Sequence, residues 1–342
     1  MSDILIRIEG RAGRVTLNRP AALNALTAEM ASALQTSLDA WRDDDAVALV
    51  VIDAAGDRAF CAGGDIADLY ATGRAGDYGF GQRFWADEYR LNATIAEYPK
   101  PVVSFMQGFT MGGGVGVGCH ACCRVVGTTS QIAMPECGIG LVPDVGGSLL
   151  LARAPGRMGD YLGLTAARMG PGDAIRAGFA DMFIPEADWP AVIAALCATG
   201  EVDLPSHPTP DAPLFRHAAD IDALFAAPDL PALVAGLQAA GTEFAAATLK
   251  AVLRNAPLSM AVTLALLPKL RGGATIRDAL RLEYRYTARA MEHGDFLEGI
   301  RAAIIDKDRK PRWRHTAKDD LTAAVATMLA PLPQEWTMED TL

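Results

Sequence analysis

The sequence predicts an α/β fold in which a β-rich first half is followed by a helical C-terminal region. Up to residue 184, short strand-type runs alternate with segments of helical periodicity in loose strand-strand-helix repeats. From Asp188 onward the strand pattern ends, and segments rich in Ala and Leu remain. Because 342 residues exceed the size of one typical domain, we expect a core over residues 1–200 and a helical region over residues 201–342.

The first half divides into elements in chain order. Ile4–Glu9 and Arg14–Asn18 are predicted to form a β-hairpin around a Gly10–Gly13 turn. Thr27 is placed to cap a helix that ends at the aspartates of residues 43–45. Phe60–Asp65 is predicted to be a small-residue loop, and the glycine-sprinkled segment that follows, up to Gly81, is predicted to be mobile. Further strands are predicted over Val47–Ile52, Pro101–Met106, Arg124–Gly127, Gln131–Met134 and Asp181–Ile184, and helices over Gln82–Glu97 and Met111–Ala121.

The second half is predicted to be helical after a proline-rich linker, Leu204–Pro213. Its last long helix is amphipathic, and the chain then enters a basic segment, Asp306–His315. The predicted helices are Ala218–Phe225, Leu230–Ala240, Thr242–Asn255, Pro257–Leu270 and Thr275–His293.

Composition excludes several classes of partner. Hydrophobic residues make up 51% of the chain and charged residues 21%, which is typical of a folded globular protein. The net charge is -10, and no long run of Lys and Arg interleaved with several aromatic residues occurs. We therefore expect neither nucleic acid nor an anionic membrane as a partner, and any anionic ligand needs basic residues near its site.

The N-terminal residues lead directly into a strand pattern, without the features of a signal or transit peptide. No apolar run is long enough to cross a bilayer, because charged residues or glycines interrupt each one. The six cysteines are scattered through a large chain, which favours reduced thiols over a disulfide framework. These features predict a cytoplasmic protein.

Two glycine-rich loops are candidate anion-binding sites. Gly112, Gly113 and Gly114 follow a predicted buried strand and open a helix, whose free N–H groups can hold an anion or an oxyanion. The alternative is that these glycines only permit close helix packing. Phe60–Asp65 is the natural second donor loop, although it also fits an ordinary turn between a strand and a helix.

Three acids are candidates for chemistry. Glu136 and Asp144 each follow a proline and lie among glycines, where a packed core would not place a carboxylate. Either can cap a helix, or the two can form an acid/base or nucleophile pair in an apolar pocket. Glu88, on the helix Gln82–Glu97, fits a solvated helical acid when it is judged alone.

Other motifs in this region are weaker. Gly116–Ala121 fits a relaxed dinucleotide fingerprint, but its glycines fall inside a helix and not in the preceding turn. The cluster of Cys119, His120, Cys122 and Cys123 lacks a second ligand pair at zinc-site spacing, so we predict buried reduced cysteines and no metal. Cys137 has no histidine partner that marks it as a nucleophile.

Taken together, the motifs resemble those of the crotonase (enoyl-CoA hydratase/isomerase) superfamily and, within it, the 3-hydroxyisobutyryl-CoA hydrolases. The resemblance runs through most of the chain. The matching segments are LNRP and LNAL at 17–20 and 23–26, FCAGGD at 60–65, QGFTMGGGVG at 107–116, AMPECGIGLVPDVGG at 133–147 and EGIRAAIIDKDRKPRW at 298–313.

The resemblance implies a crotonase-like core of ββα repeats in two nearly perpendicular sheets, with the C-terminal helices covering the active site or a neighbouring subunit. It implies an oxyanion hole made by the N–H groups of Ala62 and Gly113, with Glu136 and Asp144 as catalytic acids. It also implies that Glu88 contacts the substrate, which weakens the interpretation of Glu88 as a solvated helical acid. The residues expected to line the substrate site are Glu88, Gly63, Gly64, Asp65, Gly112 and Gly114.

One departure from the family pattern favours a hydrolase. In the superfamily that these motifs resemble, hydratases carry a second catalytic glutamate two residues after the triple glycine, where this chain has Gly116. Addition of water to an alkene needs that pair of acids. We therefore expect hydrolysis of a short hydroxyacyl-CoA thioester, with acyl-CoA as substrate, no separate cofactor or metal, and a possible homo-oligomer. An enoyl-CoA hydratase or isomerase, or a non-catalytic acyl-CoA-binding member, remains the alternative.

Overall fold

The structure, a computed structural model, describes residues 2–338. These residues fall into two compact units, each built from three stretches of chain. The first unit holds residues 2–65, 87–133 and 168–213, and the second holds residues 66–86, 134–167 and 214–338. The predicted division at residue 200 stays a prediction.

All nine strands of the described chain belong to the first unit. They are β1 (Ile4–Glu9), β2 (Ala12–Leu17), β3 (Leu49–Ala54), β4 (Ala59–Cys61), β5 (Val102–Met106), β6 (Phe109–Met111), β7 (Cys123–Val126), β8 (Gln131–Ala133) and β9 (Met182–Phe183). A six-stranded sheet has the order β1-β2-β3-β5-β7-β9, and a three-stranded sheet has the order β4-β6-β8. Apart from the antiparallel pair β1 and β2, the paired strands are parallel.

The central strands are buried because their sequences are continuously apolar. β5 is buried along its whole length, and β3 along all but its last residue, as expected for parallel strands covered on both faces. Phe105 of β5 packs edge-to-face against Trp189, with ring centroids 5.4 Å apart. Trp189 begins a helix, Trp189–Thr199, whose buried residues join this core.

The helices are α1 (Ala28–Trp41), α2 (Ala67–Arg74), α3 (Tyr78–Ala96), α4 (Gly113–Gly118), α5 (Gly147–Arg153), α6 (Met158–Thr165), α7 (Pro171–Ala177), α8 (Trp189–Thr199), α9 (Ala218–Leu224), α10 (Leu230–Ala240), α11 (Glu243–Arg254), α12 (Pro257–Leu270), α13 (Ile276–His293), α14 (Phe296–Ile300) and α15 (Thr322–Leu329). Thr27 caps α1 as predicted, because its side chain accepts a hydrogen bond from the Met30 N–H. The α/β fold with a helical C-terminal region is thereby confirmed.

Two sequence predictions of local structure were wrong, and a third, the mobility of the segment between Asp65 and Gly81, stays a prediction. That segment contains α2 and the start of α3. Phe60–Asp65 is not all loop, because β4 includes Phe60 and Cys61. The glycine-rich helix is α4 alone and is shorter than predicted, because Met111 still belongs to β6.

No single helix in residues 2–338 combines the length and apolar character needed to span a membrane. The pair α11 and α12 meets the length and composition test together, but the two helices are bent by 111°.

Candidate active site

The first donor loop follows β4 in the first unit. The Ala62 N–H donates to the Leu23 carbonyl oxygen at 3.0 Å. An N–H engaged in this way is not available to a ligand carbonyl, so the hydrogen bond argues against the predicted role of Ala62. Gly63 has a φ of +119°, a conformation that favours glycine, and its carbonyl accepts the Leu26 N–H at 2.9 Å. Asp65 pairs with Arg19 at 3.2 Å.

The second donor loop begins α4. Gly112 precedes the helix with a φ of +49°, and Gly113 is its first residue, so the Gly113 N–H has no acceptor within the helix. A Cβ atom on Gly113 would lie 3.2 Å from the Gly64 nitrogen. A Cβ on Gly114 would collide with the Cys61 carbonyl, so only glycine fits there. The two loops therefore meet at Gly64 and Gly113, with Gly64 replacing Ala62 as the second candidate donor.

Glu88 lies beside this donor pair. A Cβ on Gly113 would lie 2.6 Å from Glu88 Oε1, and Glu88 is 4% exposed. The sequence reading of Glu88 as a solvated helical acid was therefore wrong. Cys61 is also near: burial raises the pKa of its thiol to about 12, with a contribution from the negative charge of Glu88. The Cys61 side chain is thus a neutral thiol.

Glu136 lies in the second unit and is 4% exposed. It begins a short 3-10 helix, Glu136–Ile139, that ends at Gly140 with a φ of +78°. The Cys137 carbonyl accepts the Ala256 N–H at 2.8 Å, and the Gly140 carbonyl accepts the Tyr286 hydroxyl at 3.0 Å. α12 and α13 therefore hold the turn that carries Glu136.

Asp144 is also in the second unit and 4% exposed. It precedes two residues with left-handed backbone, Val145 with a φ of +53° and Gly146 with a φ of +76°, and then α5 begins. The Asp144 carbonyl accepts the Gly147 N–H at 2.7 Å, which closes the turn. A left-handed conformation is costly for a β-branched residue, so the surrounding contacts must stabilise this turn.

The sequence analysis missed a fourth acid, Glu283 of α13. It is fully buried and accepts hydrogen bonds from the N–H groups of Gly146 and Ser148 at 2.8 and 3.2 Å and from the Ser148 hydroxyl. The carboxyl group at the N-terminus of α5 is therefore that of Glu283. A signal was present: Glu283 lies among the buried positions Ile276, Ala279, Leu280, Tyr286, Thr287 and Ala290, on the apolar stripe of an amphipathic helix.

The cysteine-histidine cluster does not form a metal site in the described part of the chain, where no group of three or more His, Cys, Asp or Glu side chains could hold an ion. All six cysteines are free. The prediction that this cluster is buried holds for Cys119, whereas Cys122 is exposed and Cys123 is partly exposed. Gly116 lies buried within α4.

The predicted residues are thus found in two sets. In the first unit, Gly64, Gly113 and Glu88 lie together, with Gly63, Gly112 and Gly114 next to them in the chain. In the second unit, Glu136 and Asp144 each occupy a buried turn held by a C-terminal helix.

The chain matches a family model described as enoyl-CoA hydratase/isomerase over residues 12–329. It is 36% identical over 337 residues to a chicken (Gallus gallus) protein named 3-hydroxyisobutyryl-CoA hydrolase, mitochondrial, covering 94% of this chain and 86% of that protein.

Two solved structures are similar over nearly the whole chain. An enoyl-CoA hydratase from Rhodobacter sphaeroides 2.4.1 is 61% identical with a TM-score of 0.96, covering 98% of this chain and 100% of that one. A carnitinyl-CoA dehydratase from Mycobacterium thermoresistibile is 39% identical with a TM-score of 0.92, covering 100% of both chains. The predicted crotonase-like fold is confirmed by these two structures.

Proposed function

Because the chain belongs to the enoyl-CoA hydratase/isomerase family, we propose that it hydrolyses a short-chain hydroxyacyl-CoA thioester, with 3-hydroxyisobutyryl-CoA as the expected substrate. The products would be 3-hydroxyisobutyrate and coenzyme A, a step of valine breakdown. The main observation behind the proposal is that two buried acids, Glu136 and Asp144, occur together with a glycine at position 116. Similarity to proteins named 3-hydroxyisobutyryl-CoA hydrolase supports it.

In this proposal the N–H groups of Gly64 and Gly113 polarise the thioester carbonyl. The two backbones approach each other closely, and Gly113 is at a helix start, where N–H groups are available. Donors fixed in position before the reaction stabilise the negative charge that develops on the carbonyl oxygen. Glu88, beside Gly113, would hydrogen-bond the β-hydroxyl of the acyl group and so select hydroxyacyl substrates.

Glu136 would act on the acyl carbon by one of two routes. In the first, its carboxylate forms a C–O bond, the C–S bond breaks, and a mixed anhydride is left for water to hydrolyse. In the second, it removes a proton from a water molecule that attacks directly. In both, Asp144 positions the water or hydroxyl and gives a proton to the departing thiolate, so that thioester and water yield acid and thiol. Coenzyme A is part of the substrate, and the proposal needs no further cofactor.

The first test is thiol release from 3-hydroxyisobutyryl-CoA by the Glu136→Gln variant. We expect a loss of roughly 100-fold or more in kcat, because the amide can neither attack nor accept a proton. Glu29→Gln is the matched control, since Glu29 is an exposed acid at the start of α1. Full activity of Glu136→Gln would refute the proposed role of Glu136.

The second candidate is an enoyl-CoA hydratase, favoured by the name of the 61% identical structure. Gly116 argues against it, because a glycine offers no second acid for the addition of water. Crotonyl-CoA separates the two activities. Loss of the conjugated thioester absorbance without free thiol would indicate a hydratase, whereas thiol release from the hydroxyacyl ester alone would indicate a hydrolase. Tight binding of both esters without turnover would indicate a non-catalytic acyl-CoA-binding protein.

A further inference from the structure

Glu283 is a buried carboxyl group that the proposed reaction does not use directly. Its Oε2 atom accepts the Gly146 N–H at 2.8 Å, and its Oε1 atom accepts both the N–H, at 3.2 Å, and the hydroxyl of Ser148. All three bonds come from two residues, Gly146 and Ser148, which lie on either side of Gly147. α13 is thereby tied to the turn that carries Asp144.

This turn needs such support. Val145 and Gly146 are consecutive left-handed residues, and the first N–H groups of α5 have no acceptor within that helix. A β-branched residue in this conformation persists only where the surroundings hold it. Glu283 satisfies the N–H groups on both sides of Gly147, and so fixes the direction in which the chain leaves Asp144.

We propose that Glu283 is a positioning residue, which holds the Asp144 turn in the geometry required for the hydrolysis proposed above. The inference rests on that function for its effect on rate. The structural part, that the Glu283 side chain orders residues 144–148, can be measured without any substrate.

The protonation of Glu283 depends on its burial and on the groups of the Asp144 turn. Burial raises the pKa of its carboxyl group to about 8, any negative charge on nearby Asp144 acts in the same direction, and the hydrogen bonds from Ser148 and Gly146 lower it. Of the elements packed on α13, α5 supplies the Ser148 hydroxyl and the turn before it supplies Asp144. The fold therefore favours the protonated form of Glu283 at pH 7, and its ionisation at higher pH places a negative charge beside Asp144.

Three variants test this proposal. Glu283→Leu removes every acceptor, Glu283→Gln keeps the shape and a neutral charge, and Ser148→Ala removes only the hydroxyl bond. We expect Glu283→Leu to lower kcat by about 10- to 100-fold with KM nearly unchanged, because a displacement of about 1 Å costs a factor of this size. Glu283→Gln should stay within about fivefold of wild type at pH 7, and Ser148→Ala closer still.

The pH profile supplies a second readout that a general loss of stability would not change. In the wild type, kcat should fall above about pH 8, because an ionised Glu283 opposes the negative charge that Asp144 gains when it gives its proton to the thiolate. Glu283→Gln should lack this alkaline decline. If Glu283→Leu does not fold, this comparison decides the matter, and an unchanged alkaline decline in Glu283→Gln would overturn the proposal.

Hydrogen exchange of the segment 144–148 separates this proposal from the proposed function. The amides of Gly146 and Ser148 should exchange at least about tenfold faster in Glu283→Leu than in wild type. Glu335→Gln, which weakens the ion pair between Arg285 of α13 and the C-terminal segment, is the control and should leave this segment unchanged. Unchanged exchange in Glu283→Leu would overturn the positioning role, whereas absence of thiol release in the wild type would overturn only the hydrolase function.

Discussion

Gly113 is a position where helix stability and the candidate site make opposite demands. Gly113 is the first residue of α4, where alanine would have a higher helix propensity than glycine. A Cβ atom there would lie 2.6 Å from Glu88 Oε1 and 3.2 Å from the Gly64 nitrogen, so both groups would have to move. We therefore predict that Gly113→Ala folds but loses roughly 100-fold in kcat for thiol release, because a displaced donor no longer meets the oxyanion.

Gly236→Ala is the matched control for Gly113→Ala. Gly236 lies inside α10, where a Cβ would meet only Leu224 Cδ2, at 3.9 Å. This variant should gain up to about 1 kcal/mol in unfolding free energy and keep full activity. Full activity in Gly113→Ala, measured in the same assay, would exclude Gly113 from the donor pair.

Glu283 links pH to stability in a direction opposite to that of an ordinary paired acid. Its pKa is about 8 in the folded protein against an ordinary value of 4.5, so the folded state keeps a proton that the unfolded state releases between these values. The free energy of unfolding should therefore fall as pH rises from about 4.5 to 8. Glu283→Gln has no carboxyl group to ionise here, so its stability relative to wild type should rise by roughly 2 to 4 kcal/mol between pH 5 and pH 8.

Denaturant titrations of the two proteins at several pH values measure this change. The comparison uses the change with pH and not the absolute stability, because glutamine cannot accept both N–H bonds that the carboxyl group accepts. Parallel stability curves would show that Glu283 is already ionised at neutral pH in the folded protein.

At the scale of elements, the turns that carry the two acids depend on helices far along the chain. α13 contacts the Asp144 turn through Glu283 and, about one helical turn further on, the Glu136 turn through Tyr286. α12 adds the N–H bond from Ala256 that precedes it and a contact between Thr263 and the Cys137 thiol at 3.6 Å. The helical C-terminal region therefore supports the acids of its own unit.

Tyr286→Phe tests this support for the Glu136 turn. The change leaves the Gly140 carbonyl and the Ser259 hydroxyl without their bonds to the tyrosine, at 3.0 and 2.9 Å. We expect a loss of about 1–3 kcal/mol in unfolding free energy and a fall of roughly 3- to 10-fold in kcat. Tyr98→Phe is the control, because it removes a tyrosine bond to the Leu38 carbonyl at 2.6 Å in the first unit and should lower stability alone. Equal kcat values for the two variants would contradict this coupling.

Elements with strong local sequence signals were predictable, and elements without them were not. Long helices such as α10 and α12 were predicted to the residue, because their caps, prolines and apolar periodicity are local signals. β4 and β6 were missed, because three-residue strands in small-residue segments carry almost no local pattern. Motifs singled out Glu136, Asp144 and Gly113 as candidates, and their roles stay predictions.

Two features of the candidate site could be recognised only in the structure. The motif locates the donor loop but does not show which of its N–H groups is available to a ligand. The Ala62 N–H is engaged by the Leu23 carbonyl, and this depends on the path of a loop more than thirty residues earlier in the chain. Glu283 lies 139 residues after Asp144 in the sequence, and no spacing rule connects positions so far apart. Its place on an apolar stripe was the signal available.

At the scale of the whole molecule, the net charge of -10 opposes the approach of an anionic substrate such as a CoA ester. This repulsion acts over distances comparable to the Debye length, which is about 30 Å at 0.01 M salt and about 10 Å at 0.1 M. Raising the salt concentration over this range should therefore increase kcat/KM for the CoA ester by roughly two- to fivefold. The measurement is initial rates of thiol release at subsaturating substrate.

The corresponding pantetheine thioester, which has no phosphate groups, is the control and should show almost no dependence on salt. A fall in kcat/KM with salt for the CoA ester would mean that basic residues near the binding site outweigh the field of the whole protein. Asp306–His315, which contains three arginines and two lysines, would then be the first segment to neutralise, because it is the densest basic run in the sequence.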